Sequence, residues 1–172
     1  MKLTTRIEKP FFRRDVLELA PALLGMQLVV AGPGREPVRY AISETEAYRG
    51  VEDLACHVSK GRTGRTEIMY SEGGVLYVYL IYGMHWMLNI VTGMAEQPQA
   101  VLIRGVGGIS GPGRLTRALG IDKSFNAEDL TASERIWLED SPGNSRFIAT
   151  PRIGVDYAGP VWKEKPWRFV AV

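Results

Sequence analysis

Cysteine and histidine are scarce in this chain of 172 residues, which contains one cysteine and two histidines. A single cysteine, Cys56, excludes a disulfide bond within the chain. No pair of these residues has the spacing of zinc ligands, so we expect neither a metal nor another cofactor. Cys56 and His57 are direct neighbours whose side chains diverge, so we do not expect a cysteine–histidine catalytic pair.

Long hydrophobic runs and a strong net charge are also missing. No apolar run reaches the roughly 18–20 residues of a membrane span, and the N-terminal segment lacks the apolar core of a secretory signal. We therefore expect no membrane contact and an intracellular location, in the cytoplasm or nucleoid of a prokaryote or in a eukaryotic nucleus. The composition, with 45% hydrophobic residues and 23% charged residues, is typical of one globular domain, here residues 1–172.

The net charge of +2 does not by itself indicate a nucleic-acid partner, but the basic residues are unevenly distributed. Residues 56–66 and 97–121 contain no acidic side chain. The basic residues in these two segments are Lys60, Arg62, Arg65, Arg104, Arg114 and Arg117. Such patches can follow a line of phosphates. On charge alone, solvated basic loops explain them at least as well.

The hydrophobic pattern predicts a mixed α/β (α+β) domain with a mostly antiparallel, curved sheet and short surrounding helices. One helix is expected from Asp15 to residue 24, either kinked by Pro21 or beginning later than Asp15. A second is expected at residues 112–119, stopped by Gly120. The predicted strands are residues 26–31, 38–46, 98–104, 136–138, 147–149, 153–155 and 167–172.

Residues 75–92 form the most β-rich stretch and predict a hairpin that turns near Gly83. Tyr77, Tyr79 and Ile81 share one strand face, and both faces are apolar, so most of the hairpin should be buried. Its tip carries large side chains, including Tyr82 and Met84. The tip is therefore either covered by another part of the chain or a wedge directed at another molecule.

Several polar and aromatic residues suggest a binding and hydrolysis site. They are Glu46, Tyr48, His57, Tyr79, Tyr82, Asn89 and Arg104. A carboxylate beside stacked aromatic rings is suited to hold a flat base and to activate water. Each of these residues taken singly is more often structural. Glu44 and Glu46, which share a strand face, are alternatively an exposed acidic edge.

These residues lie in longer strings that resemble the alkyladenine DNA glycosylase family, also called the mammalian-type 3-methyladenine DNA glycosylases. The resemblance spans nearly the whole chain in one order, and the chain looks like a short member. The strings are Glu44-Thr45-Glu46-Ala47-Tyr48, Glu52-Asp53-x-Ala55-x-His57, Tyr77-Val78-Tyr79-x-Ile81-Tyr82-Gly83-Met84, Asn89, Val101-Leu102-x-Arg104, Ser110-Gly111-Pro112, Lys123-Ser124-Phe125, Arg152-x-Gly154 and Lys165-Pro166-x-Arg168-Phe169.

The resemblance implies a catalytic role for Glu46, as the general base that activates water, and for Arg104, as a neighbour of that water. It implies a base-binding pocket and an intercalating tip. The implied pocket residues are Tyr48, His57, Tyr79 and Asn89, and Asn89 would disfavour normal guanine. The implied tip residues are Tyr82, which enters the minor groove, and Met84 beside it. The implied DNA-backbone contacts are Arg62, Arg65, Ser110 and Gly111.

The implied activity is that of a monofunctional DNA glycosylase that begins base excision repair. Such an enzyme acts as a monomer on double-stranded DNA, extrudes 3-methyladenine, 7-methylguanine, hypoxanthine or ethenoadenine, and hydrolyses the N-glycosidic bond. No lysine matches a catalytic nucleophile, so strand-cleaving lyase chemistry is not expected. The link between Arg104 and Ser110 is short, which predicts weaker DNA binding and a shallower salt dependence than the family norm.

Two other functions remain open at this level. One is a non-catalytic module that binds damaged DNA with the same fold, and the other is an N-glycosidase that acts on small molecules. The joint presence of Glu46 and Tyr82 favours the glycosylase, because a pure binder needs no base and a nucleosidase needs no wedge.

Overall fold

The computed structural model describes residues 5–141 and 146–172, which form one α+β domain. The described part contains nine β-strands and four α-helices. The strands are β1 (Gln27–Val30), β2 (Val38–Arg49), β3 (Leu76–Ile81), β4 (His85–Val91), β5 (Gln99–Val106), β6 (Ile109–Ser110), β7 (Ile136–Glu139), β8 (Phe147–Thr150) and β9 (Arg168–Ala171). The helices are α1 (Lys9–Phe12), α2 (Val16–Ala22), α3 (Pro112–Leu119) and α4 (Gly159–Lys163). Short 3-10 helices lie at His57–Lys60, Glu67–Tyr70, Lys123–Phe125 and Asp156–Ala158.

The strands form an antiparallel, unclosed sheet in the order β3-β4-β5-β2-β1-β7, with β6 paired to β5, β9 to β2 and β8 to β9. The α+β class and the antiparallel sheet that the sequence predicts are thus confirmed. β2 organises the sheet, because its first half pairs with β1 and its second half with β5 and β9. It continues to Arg49, beyond the predicted end at residue 46, and this extension keeps Glu46 and Tyr48 within the ladder.

Two helices pack on the sheet and bury their apolar stripes. Asp15 caps α2 by accepting a hydrogen bond from the Leu17 N–H at 2.9 Å, and α2 begins at Val16, so the later start is wrong. Pro21 lies in its last turn, so the missing N–H removes only one hydrogen bond from the helix. α3 ends as predicted at Gly120, whose φ of 69° is the left-handed conformation that favours glycine.

Alternating residues of the central strands divide between two apolar clusters on opposite faces of the sheet. The main core joins both helices to one face and includes Leu19, Leu76, Val78, Leu88, Ile90, Val101, Ile103 and Leu115. The second cluster lies on the other face and includes Cys56, Val58, Met69, Tyr77, Val91 and Ala100. Both faces of the β3–β4 hairpin are therefore buried at its base, as its apolar pattern predicts.

The strand predicted at residues 153–155 is wrong. This segment is a bend in which Gly154 has a φ of 74°. The Ile153 N–H donates to the Glu46 carboxylate at 2.7 Å instead of to a neighbouring strand. Residues 153–155 are therefore a loop whose backbone contacts the Glu46 side chain of β2. No helix in the described part of the chain is long and apolar enough to cross a membrane.

Candidate active site

One face of the sheet brings the predicted site residues together. In the register of β2, β5 and β4, Glu46 lies opposite Leu102, and Leu102 lies opposite Asn89. Directly paired residues in antiparallel strands project to the same face, so Glu46 and Asn89 point to the same side. Tyr48 and Tyr79 reach this face as well, because each lies two residues along its strand from a residue that already faces it. The strand pattern thus assembles residues that are far apart in sequence.

Glu46 is fully buried and is held by three donors. The Tyr48 hydroxyl donates to its Oε1 at 2.9 Å, and the Ile153 N–H donates to its Oε2 at 2.7 Å. Arg104 Nη1 lies 3.5 Å from Oε1. Burial raises the pKa of the Glu46 carboxyl above its ordinary value, while these donors and the charge of Arg152 act in the opposite direction. A carboxylate that is desolvated and yet oriented by donors is suited to accept a proton from water.

Arg104 lies where the sheet register slips. Ile103 pairs with Thr45 and Gly105 pairs with Glu44, so Arg104 lies at an irregularity between them, and such bulges redirect side chains beside active sites. Its Nε donates to Glu44 at 3.0 Å, and Arg168 Nε donates to the same oxygen at 2.6 Å.

The exposed acidic edge considered for Glu44 and Glu46 is therefore wrong. Both carboxylates are buried, and arginine side chains neutralise the pair.

A pocket opens beside Glu46, and all four predicted pocket residues line it. Its lining consists of Tyr48, Ala55, Cys56, His57, Met69, Tyr77, Tyr79, Asn89, Ala100 and Tyr157. Asn89 is buried, and its Nδ2 donates to the Tyr77 carbonyl oxygen at 3.2 Å. Tyr48, which lines the pocket, is also a donor to Glu46. The carboxylate thus lies directly behind one pocket wall.

The ionisation of the pocket walls follows from burial. Burial, together with the charges of Arg65 and Lys60, lowers the pKa of His57 to about 4, so the imidazole is neutral near pH 7. His57 Nδ1 lies 2.9 Å from the Tyr77 hydroxyl, and its ring centroid lies 4.6 Å from that of Tyr79. Burial also raises the pKa of the Tyr79 phenol. The walls therefore present neutral aromatic rings.

The hairpin tip is exposed, so the covered tip that the sequence left open is wrong. The Tyr82 side chain is 89% exposed and Met84 is 68% exposed. Tyr82 and Gly83 have φ values of 50° and 64°, and the Met84 N–H donates to the Ile81 carbonyl, as in a type I′ turn. A tyrosine seldom occupies this left-handed position, which asparagine or glycine fills without strain.

The predicted DNA-backbone residues differ in their surroundings. Arg62 is clamped by Glu67 and Glu96, each at 2.6 Å, which neutralise its charge. The Arg65 guanidinium lies 5.0 Å from the centroid of the Tyr79 ring, at the pocket mouth. Ser110 is exposed, but the Gly111 N–H already donates to the Arg104 carbonyl at 2.8 Å.

Tyr157 and Cys56 line the pocket although the sequence did not assign them there. The Tyr157 hydroxyl donates to the Ala55 carbonyl at 2.8 Å, which holds its ring at the rim. Burial raises the pKa of the Cys56 thiol to about 12, so Cys56 is a neutral wall. The apolar residues near Cys56 could have indicated from sequence that it is buried. Tyr157 lies in the tail, where no local sequence pattern indicates a pocket residue. In the described residues, no three His, Cys, Asp or Glu side chains cluster as metal ligands.

Comparison with known proteins adds independent evidence. A model of the family described as Methylpurine-DNA glycosylase (MPG) matches residues 10–110 and 107–172. The chain belongs to this family. Relatives named "Putative 3-methyladenine DNA glycosylase" include one from Methanocella arvoryzae, 43% identical over 95% of this chain and 90% of the relative. Another, from Desulfitobacterium hafniense, is 41% identical over 95% of this chain and 94% of its own length.

Membership in the methylpurine-DNA glycosylase family makes the chain a DNA-repair glycosylase, a hydrolase of N-glycosyl bonds whose substrate is DNA. The resemblance seen in the sequence is thereby confirmed. Within this family context, the pocket, the buried carboxylate and the exposed tip occupy one continuous part of the sheet, built from β2, β3, β4 and β5.

Proposed function

We propose that this chain excises alkylated and deaminated purines from duplex DNA with water activated by Glu46. The observation that carries the proposal is the position of Glu46, which is buried, held by three donors and directly behind the aromatic pocket. Glu46 accepts a proton from the attacking water, and its negative charge stabilises the positive charge that develops on the sugar. Arg104 orients the carboxylate and the water.

The pocket favours flat, cationic bases. A purine methylated at N3 or N7 carries positive charge, which makes the base a good leaving group. Stacking of such a base between Tyr48, His57 and Tyr79 gains a cation–π contribution of roughly 0.5–2 kcal/mol. The neutral state of His57 supports this, because a protonated imidazole would repel the base. The substrates are 3-methyladenine, which is the base in the relatives' names, 7-methylguanine, hypoxanthine and ethenoadenine.

Asn89 selects against normal guanine. Its side chain is buried in the pocket wall and is anchored to the Tyr77 carbonyl. The anchored amide meets the exocyclic amino group of guanine, which adenine-derived bases lack at that position. 7-Methylguanine also has this group, but its positive charge makes it a better leaving group than normal guanine. Rejection of guanine then arises from crowding and from polar groups left without partners.

The hairpin tip opens the duplex. Extrusion of a base costs a few kcal/mol of lost stacking and pairing, and a side chain inserted into the gap offsets part of this cost. Tyr82 fills the gap, and Met84 rests beside it in the minor groove. Since tip and pocket belong to the same hairpin, insertion at one end presents the extruded base to the other. The enzyme acts as a monomer and leaves an abasic site.

The deciding experiment measures base release from duplex oligonucleotides that carry one hypoxanthine or one ethenoadenine. We expect release by the parent protein and a loss of at least about 100-fold in Glu46→Gln, with lesion binding retained. Glu139→Gln is the matched control, since Glu139 is another buried strand glutamate paired to arginine but lies on β7, and it should keep the parent rate.

The other outcomes discriminate the alternatives. Binding without release by the parent protein would identify a damage-binding module. Release from free nucleosides but not from duplex DNA would identify a small-molecule N-glycosidase. If Glu46→Gln released the base at the same rate as the parent protein, Glu46 would not be the general base.

A further inference from the structure

Arg152 is a buried arginine that lies behind the active site. Its side chain is fully buried and forms two bonds with Asp53, from Nη1 to Oδ2 at 2.6 Å and from Nη2 to Oδ1 at 2.9 Å. The guanidinium also donates to the carbonyl oxygens of Ala47 at 2.9 Å and Trp162 at 3.2 Å. This network joins β2 and the turn after it to the tail, and the two partners of the ion pair are 99 residues apart along the chain.

Asp53 completes the network on the side of β2. Its carboxylate accepts the backbone N–H groups of Arg49 and Ala55, each at 3.0 Å. The ion pair therefore ties the end of β2 and the pocket turn to the loop that contains residue 153. Replacement of a buried ion pair by apolar residues is often neutral or stabilising, so stability alone is a weak explanation for this pair.

Both short hydrogen bonds to Glu46 depend on groups that Arg152 holds. Ile153, the next residue, donates its N–H to Glu46 Oε2 at 2.7 Å. Tyr48 donates its hydroxyl to Oε1 at 2.9 Å, and its ring centroid lies 4.9 Å from the Arg152 guanidinium. The same guanidinium lies 5.0 Å from the ring centroid of Trp167.

We propose that the Arg152–Asp53 ion pair is the positioning device for Glu46, because it holds the Ile153 amide and the Tyr48 ring that orient the carboxylate. The inference rests on the proposed function of Glu46 and deepens it. The Arg152 side chain is fully buried, so it acts through its neighbours. Its positive charge also favours the ionised form of Glu46, because an opposite charge nearby stabilises a carboxylate.

The test replaces the pair in a way that leaves no buried charge unpaired. The double variant Asp53→Leu/Arg152→Met is compared with the parent in lesion affinity, thermal midpoint and single-turnover base release across pH. We expect folding and lesion affinity like the parent, but base release at least about tenfold slower, since small misplacements of catalytic groups are costly. The acidic limb of the pH–rate profile should move to higher pH, because loss of the Arg152 charge raises the pKa of Glu46.

A second variant covers the case in which the double variant does not fold. Arg152→Lys keeps the positive charge but loses the two-pronged contact with Asp53. We expect its acidic limb to stay near that of the parent while its rate remains low. If the ion pair only stabilised the fold, the double variant and Arg152→Lys would not differ in the position of the acidic limb at similarly low rates of base release.

A matched control removes a comparable ion pair elsewhere in the sheet. Arg39→Gln/Glu139→Gln disrupts the Arg39 Nε–Glu139 Oε2 contact of 2.8 Å, and it should leave the pH–rate profile unchanged. A folded Asp53→Leu/Arg152→Met or Arg152→Lys variant with the parent's rate and profile would overturn the positioning proposal. If Glu46→Gln itself kept the parent rate, the proposed function would fail independently of these variants.

Discussion

At the scale of single residues, burial sets the charge state of the site. Glu46 and His57 are both withdrawn from water, but the consequences are opposite, because burial disfavours the charged form of each. The pKa of the Glu46 carboxyl rises, whereas that of the His57 imidazole falls to about 4. Arg104 and the backbone N–H of Ile153 oppose the rise for Glu46, and the His57 imidazole is neutral near pH 7.

The pKa of His57 should respond to the basic residues at the pocket mouth. Arg65 and Lys60 both lower it, so Arg65→Gln should raise the pKa of His57 toward its ordinary value. An NMR titration of the imidazole protons measures this shift, with Arg39→Gln as a remote control. An unchanged pKa in Arg65→Gln would show that the guanidinium does not face the pocket.

The same shift gives the domain a pH-dependent stability. The pKa of His57 is lower in the folded chain than the ordinary value of 6.5, so the unfolded chain binds the proton more readily between these values. The contribution of His57 is therefore present above pH 6.5 and is lost as the pH falls toward 4. The variant His57→Gln should show less loss of thermal stability than the parent over this range.

At the scale of elements, the β3–β4 hairpin combines a packed base with a strained tip. The apolar alternation of its strands predicts the base, and the structure places those residues in both clusters. The tip conformation is less favourable, because Tyr82 adopts a φ of 50°. Non-glycine residues in this region cost of order 1 kcal/mol. An exposed aromatic ring that is kept at such a cost indicates selection for function.

Replacement of the wedge should separate stability from activity. Tyr82→Asn creates Asn-Gly, a favoured pair for a type I′ turn, so the unfolding free energy should stay equal or rise by about 0.5–1 kcal/mol. Base release from duplex DNA should fall at least about tenfold, since the gap is no longer filled. Thermal denaturation and single-turnover excision measure the two effects.

The control for this prediction is Tyr82→Phe, which retains both the ring and the backbone strain and should behave like the parent. A strongly destabilised Tyr82→Asn protein would instead mean that the ring supports the fold.

Local sequence patterns predict the helices and strands better than they predict the contacts between them. The hairpin, α3 and the long strand β2 follow from periodicity, glycine and proline. The bend at Ile153 does not, because its N–H partner is a carboxylate 107 residues away along the chain. The Arg152–Asp53 pair likewise joins positions 99 residues apart. The resemblance to a family names Glu46 and Tyr48, but only the register of β2, β5 and β4 shows why they meet Asn89.

At the scale of the whole molecule, DNA affinity depends on which cations are available to phosphates. A net charge of +2 is modest, and part of the positive charge is neutralised internally. Arg62 is held by Glu67 and Glu96, and Arg104 is held by Glu44. Arg65, Arg114 and Arg117 are exposed, and the two arginines of α3 line a groove with Met84 at the hairpin tip. Weaker DNA binding and a shallower salt dependence than the family norm, which the short link after Arg104 predicts, therefore stay a prediction, to which the internal pairing of Arg62 and Arg104 adds a second reason.

The salt dependence of binding therefore tests the arrangement of charge residue by residue. Each phosphate that the protein neutralises steepens the slope of log K against log salt by about 0.9. Arg65→Gln should make the slope shallower by about one unit, whereas Arg62→Gln should change it little, because its guanidinium is already paired. Glu96→Gln should act in the opposite direction, since it releases part of the Arg62 charge toward DNA. Fluorescence anisotropy with lesion duplexes between low and physiological salt measures all three slopes. Arg62→Gln could also reduce the slope as strongly as Arg65→Gln. In that case Arg62 would leave Glu67 and Glu96 when DNA binds and would pair with a phosphate instead.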